Sequence, residues 1–567
     1  MLRKTKMAAT FTVVTLLIIV VSSGQSLLWG KALPKERQIR TLELYCMPAG
    51  EDIEEYRAAV LYANELRKLG LDVKEHPMPY AVGGDYIWRE RSRWDMTAWY
   101  MTARPERSDP DELLYNGLIS TTVKGGYNFY GYINPEMDRL LNAQRAETDI
   151  EKRRELIYKI QEMVADDVPV TFTVHRSENF MYNKKIWDPN SIVDQAGIGL
   201  RNYWTFVNAK PLTKTKNMIA DYAEEERAIN PFYISGVVDL WFVGLIFDRL
   251  MRIGPDGLPK PAAAKEVKWL DDVTLQVILR EGMKFHDGKP VTAEDVKFTF
   301  KAIKSGEAPE YEPFAASIES IEVLSKDKLI FHLKAPNVAF LITSLAKISI
   351  APKHIWEPII EDLKKKPTED ATMIQREVPI GSGPFRFVSW RRGEEIVLEA
   401  VKDHYNAPKI DRLIFRKVSI PEVELGQLVK GEINFLSDYR GDPSALKKAA
   451  EANDSLVWKN CITLGARFFV FNLRRPPYND KAFRKALAYV VPRKKIRDVV
   501  EHGFTTIADS FVSKALEYWH NPKLPQYEYN IEKAKEILAN AGYEWDKKGR
   551  LYYPEGKKET LKPAWGP

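Results

Sequence analysis

The chain of 567 residues has few cysteines and lacks the residue patterns of familiar catalytic and metal sites. Its two cysteines, Cys46 and Cys461, lie far apart and have no metal-site spacing. Two buried free thiols are therefore favoured, and a disulfide stays open for a protein outside the cell. The eight histidines form no pair at ligand spacing. His-Glu-x-x-His, Gly-x-Ser-x-Gly and a phosphate-binding glycine loop with lysine are also missing. We expect no catalytic residue, metal or cofactor.

The chain also lacks a large excess of charge of one sign. The net charge is +6 and the pI is near 8.8, but lysine and arginine alternate with acids along the chain. The longest basic runs, such as residues 364–366 and 493–495, lie on helical patterns, where a solvated face is the simpler interpretation. We expect no nucleic-acid partner. Apolar content of 45% and charged content of 29% are typical of globular proteins, and the length suffices for two or three domains.

A long apolar run occurs at the N-terminus. Arg3, Lys4 and Lys6 precede the apolar residues 7–21, and small polar residues follow at 22–24, which is the layout of a secretory signal. The run is short for a membrane span, although an uncleaved anchor stays open. We assign residues 1–30 to a signal peptide or N-terminal anchor. The protein is expected to be exported, extracellular or periplasmic, with membrane contact only through this segment.

The most regular stretch of the chain covers residues 274–300. TLQVIL at 274–279 alternates and is β-branched, which predicts a half-buried strand. His286, Asp287 and Gly288 form a predicted turn, and a surface position is the simplest interpretation of His286. Thr292 and Asp295 have capping-box spacing, which predicts the start of a helix.

Several neighbouring motifs make this stretch resemble a known family. They are AAAKEVKWLDD before it, PIGSGPFRFVSW at 379–390 and KDHYNAPKI at 402–410. Together they resemble the family 5 extracellular solute-binding proteins, the capture subunits of ABC importers for peptides, nickel and oligosaccharides. The resemblance implies an α/β, two-lobed periplasmic-binding-protein-like fold (type II, cluster C) with an extra small lobe. It further implies a monomer that closes over a peptide or oligosaccharide and delivers it to permease subunits.

The order of the motifs indicates a circular permutation. Residues 41–208, with GYINPEMD and DDVPV, resemble the second half of the family, namely part of lobe III and the strands that return to lobe I. Residues 209–217 form a linker. Residues 218–567 resemble the first half: lobe I, lobe II at about 262–378, and the first part of lobe III from about 468. TLELYC at 41–46 should then pair with strands of the C-terminal block. A fusion of family fragments stays open.

Aromatic residues at positions that match the family's cleft are the main candidates for ligand contact. Flat rings provide apolar contact for sugar faces and peptide side chains alike. Acids and arginines at matching loop edges complete the candidate set, with Arg201 and Arg104 as partners for a carboxylate. The candidates are Trp99, Tyr100, Asp109, Arg201, Tyr203, Trp204, Trp241, Trp390, Asp438 and Tyr439.

One departure from the family bears on the ligand. Peptide-binding relatives often carry an acid two or three residues beyond the position of Trp99, whereas here the first acid is Glu106. This weakens the peptide interpretation, and an oligosaccharide stays open. Three other classes also stay open: a secreted glycosidase-like hydrolase with paired carboxylates, an exported adhesion or chaperone-like protein, and a non-functional fusion.

The N-terminal pattern generates a prediction about location. We expect the mature protein outside the cytoplasmic membrane, cleaved near residues 22–26 or held by its first segment, because a basic region before an apolar run directs export. Cell fractionation with mass spectrometry of the intact chain checks this. Recovery of the uncleaved chain from the cytosol as its normal form would contradict it.

Overall fold

The computed structural model describes residues 33–124, 127–222, 228–232, 238–308, 311–365, 374, 378–418 and 420–557. The signal or anchor expected at 1–30 lies outside these residues. Within the described part, no helix has the length and apolar character needed to cross a bilayer.

The chain contains helices and strands along its whole described length. The α-helices are α1 Ile53–Lys68, α2 Tyr80–Arg89, α3 Asp111–Leu118, α4 Pro135–Ala146, α5 Ile150–Asp167, α6 Tyr203–Asn208, α7 Val238–Ile246, α8 Ala293–Ala302, α9 Glu312–Ala315, α10 Lys353–Leu363, α11 Pro421–Lys430, α12 Pro443–Ala452, α13 Lys481–Tyr489, α14 Arg493–Lys495 and α15 Ile531–Asn540. Short 3-10 turns occupy Lys35–Arg37, Pro105–Ser108, Ser120–Thr122 and Pro189–Ser191, and π-helical turns occupy Ile303–Glu307, Leu341–Leu345 and Ile496–Val500.

The strands are β1 Leu42–Cys46, β2 Val73–Pro77, β3 Met96–Met101, β4 Val170–Asn183, β5 Asn217–Tyr222, β6 Met251–Ile253, β7 Pro259–Pro261, β8 Ala264–Asp271, β9 Thr274–Leu279, β10 Ile318–Ser325, β11 Lys328–Leu333, β12 Phe385–Arg391, β13 Glu395–Ala400, β14 Arg412–Lys417, β15 Phe435–Leu436, β16 Leu456–Phe471, β17 Thr506–Ile507, β18 Glu544–Trp545 and β19 Leu551–Tyr552.

Local sequence signals explain where several helices begin. The side chains of Asp52, Asp149 and Asp480 accept backbone N–H bonds at the first turns of α1, α5 and α13. Thr292 and Asp295 form the predicted capping box at the start of α8. The predicted turn before α8 is also present, but His286 is half-buried, with Nε2 3.0 Å from the carbonyl oxygen of Gly383, instead of facing solvent.

One large sheet runs through most of the molecule. Within the described residues its order is β12-β13-β14-β5-β15-β4-β16-β3-β1-β2, and β17 pairs with β4. The long strands β4 and β16 pair antiparallel in its middle, from Val470 opposite Val170 to Leu456 opposite Asn183. The register breaks between Ile462 and Ala466, where three residues of β16 oppose one residue of β4.

Apolar cores cover both faces of this sheet. Near β1, β3 and β16, one core combines Leu44 and Tyr62 with Leu487 and Leu538. The core on the helices α3–α5 combines Leu114 and Ile160 of the front block with Phe468 and Trp519 of the C-terminal block. A further core surrounds β5, β13 and β14, and a small one lies beneath α11 and α12. Residues 41–208 therefore do not form a core of their own.

A second, four-stranded antiparallel sheet in the order β10-β11-β9-β8 forms a separate lobe. Its core includes Leu275, Val296, Phe331 and Trp356, contributed by β9, α8, β11 and α10. The alternating burial of Thr274–Leu279 confirms the predicted half-buried strand.

The expected pairing of TLELYC with the C-terminal block is wrong in detail. β1 pairs in parallel with β2 and β3, and it is β3 that pairs with β16, with Trp99 opposite Phe468. Just before β1, however, Gln38 bridges to Tyr552. β3 lies between β16 and β1, and nearly all of its residues are buried, whereas β2 lies at the sheet edge and has two exposed residues.

A close backbone contact also joins the front block to the C-terminal block. Gly70 follows α1 with φ of +94°, as a residue beyond a helix end often does. A Cβ atom there would lie 2.2 Å from the carbonyl oxygen of Gly549. Leu551 N–H donates to the Gly70 carbonyl at 2.9 Å, so glycine is required by both backbone conformation and space.

Both cysteines are buried and free, as the sequence favours. Burial is the main cause that raises the pKa of each thiol, that of Cys46 to about 12. Neither is therefore a reactive thiolate at neutral pH.

The shared core generates a stability prediction. Leu487 is fully buried, and its carbonyl accepts a hydrogen bond from Tyr62 Oη at 3.2 Å. Leu487→Ala should lower the free energy of unfolding by about 2–5 kcal/mol, because it leaves a cavity between the front and C-terminal blocks. Urea denaturation measures this. Val499→Ala, at a side chain that is 63% exposed, is the matched control and should change stability by about 0.5 kcal/mol or less. Equal effects in both variants would contradict the shared core.

Candidate functional site

A large cleft lies where the β4–β16 ladder breaks. Its volume is about 750 Å³, within the roughly 300–1,000 Å³ of small-molecule sites. β4 contributes residues 176–179, β16 contributes Thr463 and Arg467, and β3 contributes Tyr100. The remaining lining residues are Glu51, Asp52, Glu54, Thr102, Ala103, Arg201, Ser437, Asp438, Tyr439, Arg440, Gly441, Asp442, Pro443, Glu501, His502, Phe504 and Thr505.

The ladder break opens the cleft because it forces the backbone away from regular pairing. Gly465 lies in the break, and a Cβ atom there would meet the Met101 carbonyl oxygen at 2.7 Å. Leu464 N–H leaves β4 and donates to the carbonyl of Gly197 at 2.9 Å. Arg176 and Thr463 therefore flank an opening instead of a closed sheet surface.

Arg467 is the central cation of one wall. It is 4% exposed, and its guanidinium lies 2.9 Å from Asp52 and 3.0 Å from Glu501. Glu54 and Glu55 each approach it to 4.0 Å. Burial alone would raise the pKa of Asp52, but attraction to Arg467 holds it below its ordinary value, whereas burial raises the pKa of Glu55 and Glu501.

The opposite wall is built on a second ion pair. Arg201 contacts Asp438 at 3.0 Å, and both are nearly buried. Asp438 also lies 3.4 Å from Arg440, and its backbone N–H donates to Asp221 Oδ2 at 3.0 Å. Burial raises the pKa of Asp221 to about 6, and the charge of Asp438 contributes. These contacts fix the 437–443 loop against β5.

Arg176 and Glu178 are charged cleft residues of β4 that lack a close ion pair. Within the described residues, no carboxylate lies within 4 Å of the Arg176 guanidinium and no cation lies within 4 Å of the Glu178 carboxylate. The Arg176 guanidinium is 5.7 Å from the ring centre of Tyr100, and that of Arg467 is 6.0 Å from it. The cleft can thus offer a cation, an anion and an aromatic face to a bound molecule.

Four of the residues expected from the sequence meet in this cleft, namely Tyr100, Arg201, Asp438 and Tyr439. Arg201 and Asp438 bind each other, so they shape the wall. Tyr439 is half-buried, and burial with nearby acids raises its pKa to about 12. Arg104 follows the lining residues Thr102 and Ala103 but does not line the cleft itself.

The remaining expected residues lie elsewhere. Trp99 points to the other face of β3 and packs 5.2 Å from the ring of Phe129, so it is a core residue. Asp109 is 3% exposed and is bound by both terminal nitrogens of Arg153, at 2.6 and 2.8 Å, so it is a structural ion pair. Trp390 lies on the edge strand β12 beneath the guanidinium of Arg392, 3.9 Å from its ring centre.

Tyr203 borders a smaller pocket of about 70 Å³. The guanidinium of Arg252 lies 3.6 Å from its ring centre, and the neighbouring Trp204 donates its indole N–H to the Ile253 carbonyl at 2.8 Å. Trp241 belongs to α7, but its side chain lies outside the described residues. A ligand-contact role for Trp241 stays a prediction.

Sequence reasoning missed the charged residues Asp52, Arg176, Glu178, Arg467 and Glu501. A usable signal was present for three of them: HRSEN interrupts the apolar strand β4, and GAR precedes the apolar FFVF of β16. Charges inside otherwise apolar strands mark a local opening of the core.

The carboxyls behind the cleft generate a prediction about pH. Glu424 is 2% exposed, and burial with the charges of Asp221 and Asp438 raises its pKa to about 8. A raised carboxyl pKa means that the folded protein loses stability as pH rises from about 4.5 through 8. Glu424→Gln should therefore raise the free energy of unfolding at pH 8 by roughly 2–4 kcal/mol, at about 1.4 kcal/mol per pKa unit, and should have little effect at pH 4.5.

Urea denaturation at both pH values tests this. The matched control is Glu422→Gln, an exposed neighbour on α11 whose replacement should change stability little at either pH. A gain from Glu424→Gln that is the same at pH 4.5 and pH 8 would show that Glu424 does not titrate in this way.

Comparison with known proteins identifies the family. The model of the bacterial extracellular solute-binding proteins, family 5 Middle, matches residues 259–565. The oligopeptide-binding protein AppA of Bacillus subtilis is 31% identical over 320 residues, which cover 54% of this chain and 56% of that protein. The dipeptide-binding protein of Escherichia coli is 26% identical over 317 residues, or 53% of this chain and 58% of that protein. The chain spans little more than half the length of these relatives.

Two solved structures are also similar to part of this chain. AppA from Bacillus subtilis in complex with a nonapeptide is 26% identical, with a TM-score of 0.44 over 58% of this chain and 64% of that one. The periplasmic oligopeptide-binding protein of Thermotoga maritima is 23% identical, with a TM-score of 0.47 over 59% of this chain and 66% of that one. The family match covers more than half of the chain, and this α/β protein belongs to the bacterial extracellular solute-binding proteins of family 5.

Proposed function

We propose that this protein binds peptides in the cleft at the β4–β16 break and delivers them to the permease of an ABC importer. The observation that carries the proposal is the pair of opposite charges on β4, Arg176 and Glu178, which line the same cleft and make no ion pair within 4 Å among the described residues. A peptide has both a carboxylate and an ammonium group and can form charge-assisted hydrogen bonds with both side chains, which an uncharged oligosaccharide cannot do in the same way. The acid that peptide-binding relatives often carry shortly after the position of Trp99 is missing here. Arg176 and Glu178 lie on another strand.

The relatives support a binding role. Their names describe oligopeptide-, dipeptide- and glutathione-binding proteins, and the family consists of binding proteins rather than enzymes. A glycosidase-like hydrolase is therefore not favoured. Within the described residues, no group of three or more histidine, cysteine, aspartate or glutamate side chains is arranged to hold a metal ion.

The location and the chain order are part of the proposal. The N-terminal export pattern supports an extracellular or periplasmic protein, free or anchored by residues 1–30. A monomer is part of the same proposal. We further propose that residues 41–208 and 218–567 are the permuted halves of one binding protein, joined by the linker at 209–217. The shared sheet and the mixed cores support this, because β3 and β4 of the front block both pair with β16. The family match begins at residue 259 and leaves the front block uncovered.

Ligand binding provides the test. Isothermal titration with short peptides and with neutral oligosaccharides should give heat only with peptides. Tyr100→Ala should weaken peptide binding about 30-fold, because loss of a central aromatic contact typically costs about 2 kcal/mol. Trp390→Ala is the matched control, since this aromatic lies on the sheet edge. Binding of oligosaccharides but not peptides, or equal losses in both variants, would contradict the proposal.

A further inference from the structure

The smaller pocket that Tyr203 borders lies where the front block, β6 and the four-stranded lobe meet. Its volume of about 70 Å³ is enough for a small ion but not for a peptide. Among the described residues, none lines both this pocket and the cleft at the β4–β16 break. We call it the Arg249 cavity. Its described lining residues are Pro105, Glu106, Gln195, Ile198, Asn202, Tyr203, Phe206, Gly244, Leu245, Arg249, Arg252, Ile253, Ala346 and Lys347.

Arg249 lines this cavity with most of its hydrogen-bonding capacity unused. It is 9% exposed, and its Nη1 donates to the carbonyl of Ala346 at 3.0 Å. Its Nε and Nη2 are buried and, within the described residues, have no hydrogen-bond partner. In the same part of the chain, no carboxylate lies within 4 Å of the guanidinium. Burial of a donor without an acceptor is costly, and burial of a cation without a counter-charge costs more.

The other charges at the cavity are already paired. Glu106 binds Lys347, and both side chains are almost fully buried. The guanidinium of Arg252 lies 3.7 Å from the carboxylate of Asp248. Burial and the charge of Arg252 lower the pKa of Arg249 to about 10, so Arg249 keeps its proton at neutral pH. Arg249 is thus the positive charge of the cavity that has no counter-charge among the described residues.

Two other buried arginines show how Arg249 differs. Arg484 and Arg493 also make no ion pair within the described residues, but all three side-chain nitrogens of each donate to protein oxygens. Arg249 uses one nitrogen in this way. A water molecule can accept a hydrogen bond from the remaining N–H groups, but it carries no net charge. An anion supplies both the acceptor and the charge.

We propose that the Arg249 cavity binds a small monovalent inorganic anion of the size of chloride. Such an ion accepts hydrogen bonds from Nε and Nη2 of Arg249 and neutralises its charge. A single negative charge suffices because Lys347 and Arg252 have carboxylate partners. Since Tyr203, β6 and Ala346 border the cavity, the ion holds the front block against the four-stranded lobe. This site is separate from the proposed peptide cleft, so its failure would leave the proposed function intact.

Thermal unfolding of the protein tests whether the ion binds. The protein is dialysed into sodium gluconate, whose anion is too large for the cavity, and chloride then replaces gluconate stepwise at constant ionic strength. A ligand that binds only the folded state raises the Tm. An increase from about 1 mM to about 300 mM chloride should raise the Tm by about 2–4 °C.

Two variants and a control make the test specific. Arg249→Met should abolish the chloride dependence, and its Tm in gluconate should be no lower than that of the unsubstituted protein, because the change removes an unpaired buried charge. Gly244→Ala keeps the charge but places a Cβ atom 3.3 Å from Nη2 of Arg249, so it narrows the cavity and should reduce the chloride-induced rise. Arg57→Gln, at an exposed arginine of α1, should keep the full rise.

Bromide has the charge of chloride and a similar size, so anomalous X-ray scattering from crystals soaked in bromide locates the ion. A bromide peak beside the Arg249 guanidinium is the expected result. A Tm of the unsubstituted protein that does not respond to chloride would show that water alone fills the cavity and would overturn the proposal. An equal rise in Arg249→Met, or bromide found only at other places, would overturn the assignment to Arg249.

Discussion

The structure depends above all on the antiparallel pairing of β4 with β16. On one side of the ladder break, Phe172 and Phe468 pair and pack in the core of the helices α3–α5. On the other side, Tyr182 and Val457 pair next to the core that surrounds β5 and β14. The same two strands therefore belong to both parts of the large sheet. Any separation of the two strands would disturb both cores.

The break in this ladder decides the character of the cleft. Regular pairing would bury Arg176 in a closed sheet, and burial of an unpaired guanidinium is strongly unfavourable. The three-residue excursion at Thr463–Gly465 avoids this because it opens the sheet surface at that point. The cleft is consequently lined by charged side chains held by ion pairs, and aromatic rings contribute only part of its surface.

Much of the fold follows from local signals in the sequence. Asp52, Asp149 and Asp480 mark helix starts because a carboxylate accepts free backbone N–H groups, a contact that depends only on near neighbours. The pairing of β3 rather than β1 with β16 could not be derived this way. Both strands are apolar and almost fully buried, so burial does not distinguish them, and the choice depends on packing between distant parts of the chain.

The candidate site was less predictable for a related reason. Trp99 and Tyr100 are neighbours in one strand, and alternation sends one to the core and the other to the cleft. Which face of β3 borders the cleft depends on its pairing with β16, and the sequence alone does not reveal this pairing. Asp109 was also difficult to place from the sequence. An acid in a polar loop is a reasonable candidate for ligand binding, but Arg153, 44 positions later, forms an ion pair with it.

The bond between Tyr62 and Leu487 spans 425 positions of the chain, and a bond between Arg37 and Tyr553 spans 516. Contacts of such sequence separation give the protein a high contact order, which slows folding because long loops must close before the contacts can form. β1, β3 and α1 cannot complete their packing until α13 and β19 have been synthesised. The front block must therefore wait, incompletely folded, for the last residues of the described chain.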